Sequence, residues 1–488
     1  MIPAPYKKYS VLLTDLYQLT MAYGYWKNGV QEREAVFHLF FRKNPFQSGF
    51  SIACGLADAI DCIRHFQADE EELAYLATLK GNDGEALFEK GFLDYLRGLR
   101  FTCDVDAIPE GTAVFPHEPL LRVRGPILQG QLLETVLLNI VNFQTLIATK
   151  AARVCHAARG ADVLEFGLRR AQGTDGAMAA SRAAHVGGCA ATSNVLAGMR
   201  YGIPVRGTHA HSWVMSFESE EEAFEAYAGA MPNNCVFLVD TYDTLDGVRA
   251  AVRVAKRLRE KGHEMVGIRL DSGDLAYLSI EARKILDEGG FPKAIIVASN
   301  DLDEQIIDSL IAQGAKINVW GVGTKLVTAY DQPAMGGVYK LAAIRGDDGA
   351  WRYSIKLSEQ AIKVSNPGVQ QVRRFRAGEE FIGDMIYNEA APMKSDRVIV
   401  DPVNMTRSKK MPQEAVAEDL LAPIFRAGAL VYEGPAIGAI RERAKAQVGA
   451  LHAGIKRFLN PHEYPVGLEA GLHQLKSELI LRARGIDW

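Results

Sequence analysis

The sequence predicts an α/β fold, either a barrel or a doubly wound parallel sheet, and three observations carry that prediction. Six short apolar runs rich in Val and Ile recur mid-chain: ADVLEF, IPVRGT, CVFLVD, EMVGIRL, AIIVAS and INVWGV, starting near residues 161, 203, 235, 264, 294 and 317. Continuous apolar character marks strands buried on both faces, as in parallel sheets. Helical patterns follow the runs, giving βα units at near-regular spacing. Finally, polar residues gather just past each run, as FGLRR, GTHAHS, DTYDT, LDSGD, SNDLD and GVGTK. Ligands of parallel α/β folds sit at the carboxyl ends of the strands, so this recurrence points to one shared site.

Taken in chain order, residues 1–150 mix helix with strand-like stretches such as REAVFHLFFR and GFSIAC. They read as an α+β segment. Residues 151–345 carry the βα units. Within them TLDGVRAAVRVAKRLREKG places Leu245, Val248, Val252, Ala255 and Leu258 on one helical stripe, and Gly262 ends the helix. Asp347-Asp348-Gly349 signals a hairpin, after which the pattern to residue 425 turns antiparallel. Residues 426–488 read as a C-terminal segment, helical and charged from Pro435 onward.

Bulk composition narrows the function. With 48% apolar and 23% charged residues the 488-residue chain is ordinary globular material. A net charge of −4 argues against a broad basic face for nucleic acid or anionic lipid, so any anionic ligand must be met by local arginines. The six cysteines are scattered without a CxxC pair, which fits free thiols in a reducing compartment. The N-terminal stretch lacks a signal-peptide core, and no run reaches the roughly 18 apolar residues of a membrane span. A cytoplasmic protein is expected.

The strand ends offer specific chemistry. In GVGT, Gly321 and Gly323 let backbone N–H groups approach a phosphate, and Thr324 adds a hydroxyl. RLDSGD supplies Arg269, Asp271, Ser272, Gly273 and Asp274; DTYD supplies Asp240 and Asp243. Asp243, Thr244 and Asp274 suit helix capping. Asp240 and Asp271, still at the strand ends, suit ribose hydroxyls or a hard cation such as magnesium. FGLRR joins the ring of Phe166 to two guanidinium groups, of which only one is expected at a ligand. In GTHAHS no zinc signature accompanies the histidines. A packed or solvated ring is expected for His209, whereas His211 can accept a phosphoryl group.

These motifs together resemble the nicotinate phosphoribosyltransferase family. The resemblance runs from about residue 10 to residue 345, through LLTDLYQLTMAYGYW, EFGLRRAQGTDGA, SNVLAG, GTHAHSWVMSF, VDTYDT, GIRLDSGDL, VWGVGTKLVT and GGVYKLA. VFLVDTYDTLDG is also similar to the ribose-phosphate loop of type I phosphoribosyltransferases, with Thr241 where a second acid stands there. The family resemblance implies an irregular, incomplete α/β barrel at 151–345. It also implies an α+β domain built from 1–150 and completed by 346–425. It implies the conversion of nicotinate and 5-phosphoribosyl 1-diphosphate to nicotinate mononucleotide and diphosphate, with ATP as co-substrate and Mg²⁺ as cofactor.

The same resemblance assigns residues. His211 becomes the phosphorylated histidine and His209 falls at a variable position. Tyr17 of the partner subunit stacks on the pyridine ring opposite Phe166, across the shared site of a homodimer. Thr208 and Arg269 meet nicotinate, Thr324 meets the phosphoribosyl group, and Arg169 lies near the ligand's anionic groups. Ser212, Ser272 and Gly273 complete the binding set, with His211, Arg269 and Asp271 catalytic. Nicotinamide-using relatives carry an aspartate near the position of Asn194, so a neutral residue there favours the acid. Nicotinamide or quinolinate phosphoribosyl transfer, another sugar-phosphate barrel enzyme and a non-catalytic ligand sensor are the rival readings.

Overall fold

The computed structural model describes residues 9–404 and 406–486. Residues 1–8, at the start of the stretch read above as lacking a signal-peptide core, and residues 487–488 of the C-terminal segment lie outside the described residues. The chain divides into two compact units. One comprises residues 1–145, 334–435 and 446–488; the other comprises 146–333 with 436–445.

In the first unit both flanks of the chain share one sheet. The strand Glu34–Phe41 pairs antiparallel with Gly337–Arg345 on one side and Leu121–Pro126 on the other. Seven strands in all make this sheet, and a second, six-stranded sheet is built from Gln370–Ala377, Glu380–Asn388 and their neighbours. Phe37, Leu39 and Phe41 are buried, as are their alternating neighbours Val36 and Phe40, so this central strand is covered on both faces. Gly337–Arg345 was expected within the barrel segment. It lies instead beside Glu34–Phe41 and forms the predicted hairpin with Trp351–Tyr353, where Gly349 takes the φ of +76° that the turn demands. The C-terminal segment, expected to be helical, includes the strand Val466–Glu469 between the helices Ile437–Gly449 and Ala470–Ala483.

The second unit is α/β. Its sheet has six parallel strands in the order Ala191–Thr192, Asp162–Glu165, Val319–Val322, Ile295–Ala298, Gly267–Leu270 and Val236–Leu238. Ile268, Leu270, Ile296, Ala298 and Val322 are wholly buried, as continuous apolar runs demand. Five of the six expected strands are present. The sixth, IPVRGT, makes only a bridge from Val205 to Thr192, and the unpredicted strand Ala191–Thr192 stands between it and Asp162–Glu165. Pro204 has no N–H to give, and Val205 and its neighbours are exposed, so the run lacks what a ladder needs. Among the described residues the two outer strands do not pair with each other, which leaves the sheet open.

The predicted amphipathic helix spans Thr244–Glu260 with Val248, Val252, Ala255 and Leu258 buried. No helix among the described residues is long and apolar enough to cross a membrane. None of the six cysteines, all within the described residues, forms a disulfide.

Candidate active site

The site grows from the register of two parallel strands. Leu238 stands opposite Arg269, which brings the next polar residues, Asp240 and Asp271, to the same rim. Asp240 Oδ2 accepts from the backbone N–H of Asp271 at 2.9 Å and from the Ser272 hydroxyl at 2.6 Å. Its other oxygen, Oδ1, is buried without a hydrogen-bond partner. Asp243 and Asp274, by contrast, are N-caps: Asp243 accepts from Asp246 N–H at 2.9 Å, and Asp274 from Ala276 and Tyr277 at 3.1 Å.

Arg269 is the hub. Nε donates to Ser299 Oγ at 3.0 Å and Nη1 to Thr208 Oγ1 at 2.5 Å, while Nη2 lies 3.7 Å from Asp271 Oδ1. Burial pushes its guanidinium pKa down; Asp271 and Asp240 oppose that, and nearby Arg169 adds to it. It remains a cation at neutral pH, held by planar contacts that a lysine could not reproduce. Ser299 in turn donates to Asp271 Oδ1, so one hydroxyl joins both charged groups.

His211 opens the short helix His211–Val214. Its Nδ1 is 3.1 Å from Thr241 Oγ1, and its Nε2 is 3.7 Å from Asp271 Oδ2. Asp271 therefore faces both His211 and Arg269. Ser212, next along, is exposed.

The Phe166 end of the site is set by two glycines. A Cβ on Gly321 would stand 2.7 Å from the Phe166 ring, and one on Gly323 would stand 3.1 Å from the Phe166 carbonyl. Phe166 N–H donates to Val322 O at 2.8 Å, fixing the ring at the strand end. Thr324 begins the helix Thr324–Val327 directly after Gly323. Gly273, with φ +76°, turns the chain from Asp271 into its helix. Arg169 is exposed in the turn Leu168–Arg170.

Two further residues belong to the expected set. Asn194 is buried; its Oδ1 caps the helix Val195–Tyr201 through Ala197 N–H, and its Nδ2 donates to Ser181 at 3.1 Å. Its amide is spent on the fold. Tyr17 lies in the first unit near the start of the helix Leu16–Lys27, 48% exposed.

Four supporting residues went unassigned in the sequence. Glu165, fully buried, accepts from Gly167 N–H, from Ser181 at 2.8 Å and from Thr192 at 2.6 Å, and so holds the FGLRR turn. Ser299 lay within the polar SNDLD cluster, and Thr241 in the loop compared with type I enzymes. Glu220 carries a carboxyl raised to about 7, first by burial and then by Asp240, Asp243 and Asp246, against the pull of the Thr241 N–H.

Among the described residues no group of three or more His, Cys, Asp or Glu side chains is arranged to hold a metal. A magnesium ion needs fewer, because it keeps waters and substrate oxygens in its shell. The orphaned Asp240 Oδ1, with Asp271 alongside, fits that requirement.

Fold and site together define an α/β protein whose charged and hydroxylated side chains gather at the carboxyl ends of its parallel strands. The chain belongs to the nicotinate phosphoribosyltransferase family. Family profiles described as the nicotinate phosphoribosyltransferase N-terminal domain, the nicotinate phosphoribosyltransferase family and the nicotinate phosphoribosyltransferase C-terminal domain match residues 12–142, 161–350 and 370–476. The nicotinate phosphoribosyltransferase of Bacillus subtilis is 45% identical, with 96% of each chain covered. Nicotinate phosphoribosyltransferase 2 of Arabidopsis thaliana is 39% identical over 95% of this chain and 92% of its own. The crystal structure of human nicotinic acid phosphoribosyltransferase superposes with a TM-score of 0.82 at 32% identity, covering 96% of this chain and 99% of that one.

Proposed function

We propose that this chain transfers a phosphoribosyl group from 5-phosphoribosyl 1-diphosphate to nicotinate, releasing diphosphate, with ATP hydrolysis coupled through a phosphohistidine at His211. One observation carries the reading: Asp271 lies 3.7 Å from both His211 Nε2 and Arg269 Nη2, so a nucleophile, a cation and a carboxylate share one rim.

Breaking the C1–diphosphate bond develops positive charge on the ribose and negative charge on the leaving group. Arg169, exposed at that rim, and the N–H groups around Gly321 and Gly323 are placed to offset the negative charge. Asp240 and Asp271 suit the ribose hydroxyls and the metal. Magnesium, when bound, supplies charge neutralisation on the diphosphate. The nicotinate ring nitrogen is already nucleophilic, so positioning replaces a strong base. Arg269, through Thr208 and Ser299, is oriented to pair with the nicotinate carboxylate. Phe166 offers one face for the ring, and the exposed Tyr17 of the partner subunit offers the other in the proposed homodimer.

Phosphorylation of His211 would set new negative charge and acceptor oxygens beside Asp271 and so change the grip on substrate. The test is a substrate competition: purified chain, magnesium and 5-phosphoribosyl 1-diphosphate, with nicotinate, nicotinamide or quinolinate and with products separated by chromatography. Nicotinate mononucleotide from nicotinate alone is the expected result. Equal use of nicotinamide, or product from quinolinate only, assigns another acceptor, and no product with any of them leaves a ligand sensor.

A further inference from the structure

The open side of the parallel sheet runs along Val236–Leu238, an outer strand whose other neighbour is Gly267–Leu270. An outer strand leaves backbone N–H groups without a strand to accept them. Here one of them is taken by a side chain: Leu238 N–H donates to His209 Nε2 at 3.3 Å. His209 is 8% exposed, and its ring packs 4.8 Å from the Tyr227 ring and 6.2 Å from that of Phe224. Its own carbonyl accepts from Arg269 Nη1 at 3.4 Å and from Thr208 Oγ1 at 3.2 Å. His209 is thus pinned through its ring to the sheet edge and through its backbone to the central arginine.

We infer that His209 is a positioning residue for the transfer reaction: its imidazole stands in for a missing strand at Leu238 and thereby fixes Thr208 and His211, on either side of it in the chain, at the catalytic rim. The inference rests on the reading of that rim as a phosphoribosyl-transfer site. With Nε2 accepting, the ring proton belongs on Nδ1, which faces the Ala210 carbonyl at 3.4 Å. Burial pushes the imidazole down to about 4; the Ala210 carbonyl opposes this, and Arg269 and His211 nearby reinforce it. Tyr227, Arg269 and His211 are the titratable groups that face the ring. Protonation would convert the acceptor into a donor aimed at another donor, so the contact exists only with the neutral ring. A histidine that merely filled space would need its volume but not this acceptor.

The experiment measures initial rates without ATP for wild type, His209→Phe and His209→Gln, with thermal midpoints as a folding control. Phenylalanine keeps the ring volume and removes the acceptor; glutamine restores a carbonyl oxygen near the position of Nε2. Loss of an anchor of this kind should lower kcat by about tenfold to a hundredfold in the phenylalanine variant, with glutamine recovering much of the loss. Wild-type kcat and KM in the phenylalanine variant, or a glutamine variant as poor as the phenylalanine one, would overturn the inference.

Nitrogen-15 spectra of the histidine-labelled wild type decide the matter should the phenylalanine variant fail to fold. A His209 ring still neutral and protonated on Nδ1 down to about pH 5 supports the anchor, and titration near the ordinary imidazole value of about 6.5 contradicts it. Absence of any nicotinate turnover by wild type would instead count against the functional reading, while leaving the spectroscopic result on His209 intact.

Discussion

The carboxylate of Asp240 accepts the backbone N–H of Asp271, 2.9 Å away, so the loop after one parallel strand is tied to the loop after the next. A side chain buried at the strand end thereby sets where its neighbour's carboxylate points. Asp240→Ala removes two accepted hydrogen bonds at once, those from Asp271 N–H and from Ser272 Oγ. It should cost about 1–3 kcal/mol of stability, the net worth of two hydrogen bonds accepted by a carboxylate. Turnover should fall further than stability does. Thermal unfolding and kcat measured on the same preparation check both.

Arg269→Lys should raise KM for nicotinate by about tenfold or more while leaving the fold intact, since a lysine cannot span Ser299, Thr208 and the substrate carboxylate in one plane. The measurement is a KM titration at saturating 5-phosphoribosyl 1-diphosphate. An unchanged KM would remove Arg269 from the acceptor site.

His211→Ala should abolish stimulation by ATP and leave a slow, ATP-independent transfer. Labelling from γ-labelled ATP should vanish with it. Retention of full ATP stimulation in the variant would show that the phosphoryl group is carried elsewhere or not at all.

Gly321→Ala should disturb the ring site specifically. The new methyl would sit 2.7 Å from Phe166 Cδ2 and 2.8 Å from Cε2, so the ring must move or the strand must shift. Overpacking of this sort costs about 1–3 kcal/mol. A higher KM for nicotinate with a modestly lower Tm is expected.

Glu220 makes stability depend on pH in a defined window. Its carboxyl is raised to about 7 in the folded chain from an ordinary 4.5, so the folded state binds the extra proton between those values. Stability from this group is therefore present below about pH 4.5 and is lost as pH rises toward 7. Because the group is only half-buried, the effect is on the order of 1 kcal/mol. Glu220→Gln should flatten the Tm profile between about pH 5 and pH 8, and an unaltered slope would refute the assignment.

Much of the second unit could be read in advance, for identifiable physical reasons. Runs such as AIIVAS and CVFLVD are buried on both faces, and that demand leaves its mark on every residue of the strand. The capping roles of Asp243 and Asp274 were legible because capping is local. Ala191–Thr192 was not, since two small residues carry no periodic signal, and IPVRGT misled because apolar content says nothing about a missing N–H at Pro204. Contacts between strands were harder still. Ser299 matters because it touches Arg269 and Asp271, 30 and 28 positions away in the chain. Glu165 matters because Ser181 and Thr192 fold back onto it. Asn194 was read as facing a ligand, yet its amide is occupied by the helix it caps. A family resemblance names a position but not the direction its side chain takes.

The most direct test of the central claim is nicotinate-dependent diphosphate release by the purified chain with magnesium and 5-phosphoribosyl 1-diphosphate, run beside Arg269→Ala. Wild type should release one diphosphate per nicotinate mononucleotide formed. The variant should lose about a hundredfold or more in kcat/KM while remaining folded. Wild type that releases no diphosphate, or a variant that matches it, would contradict the claim that the strand-end loops form one phosphoribosyl-transfer site.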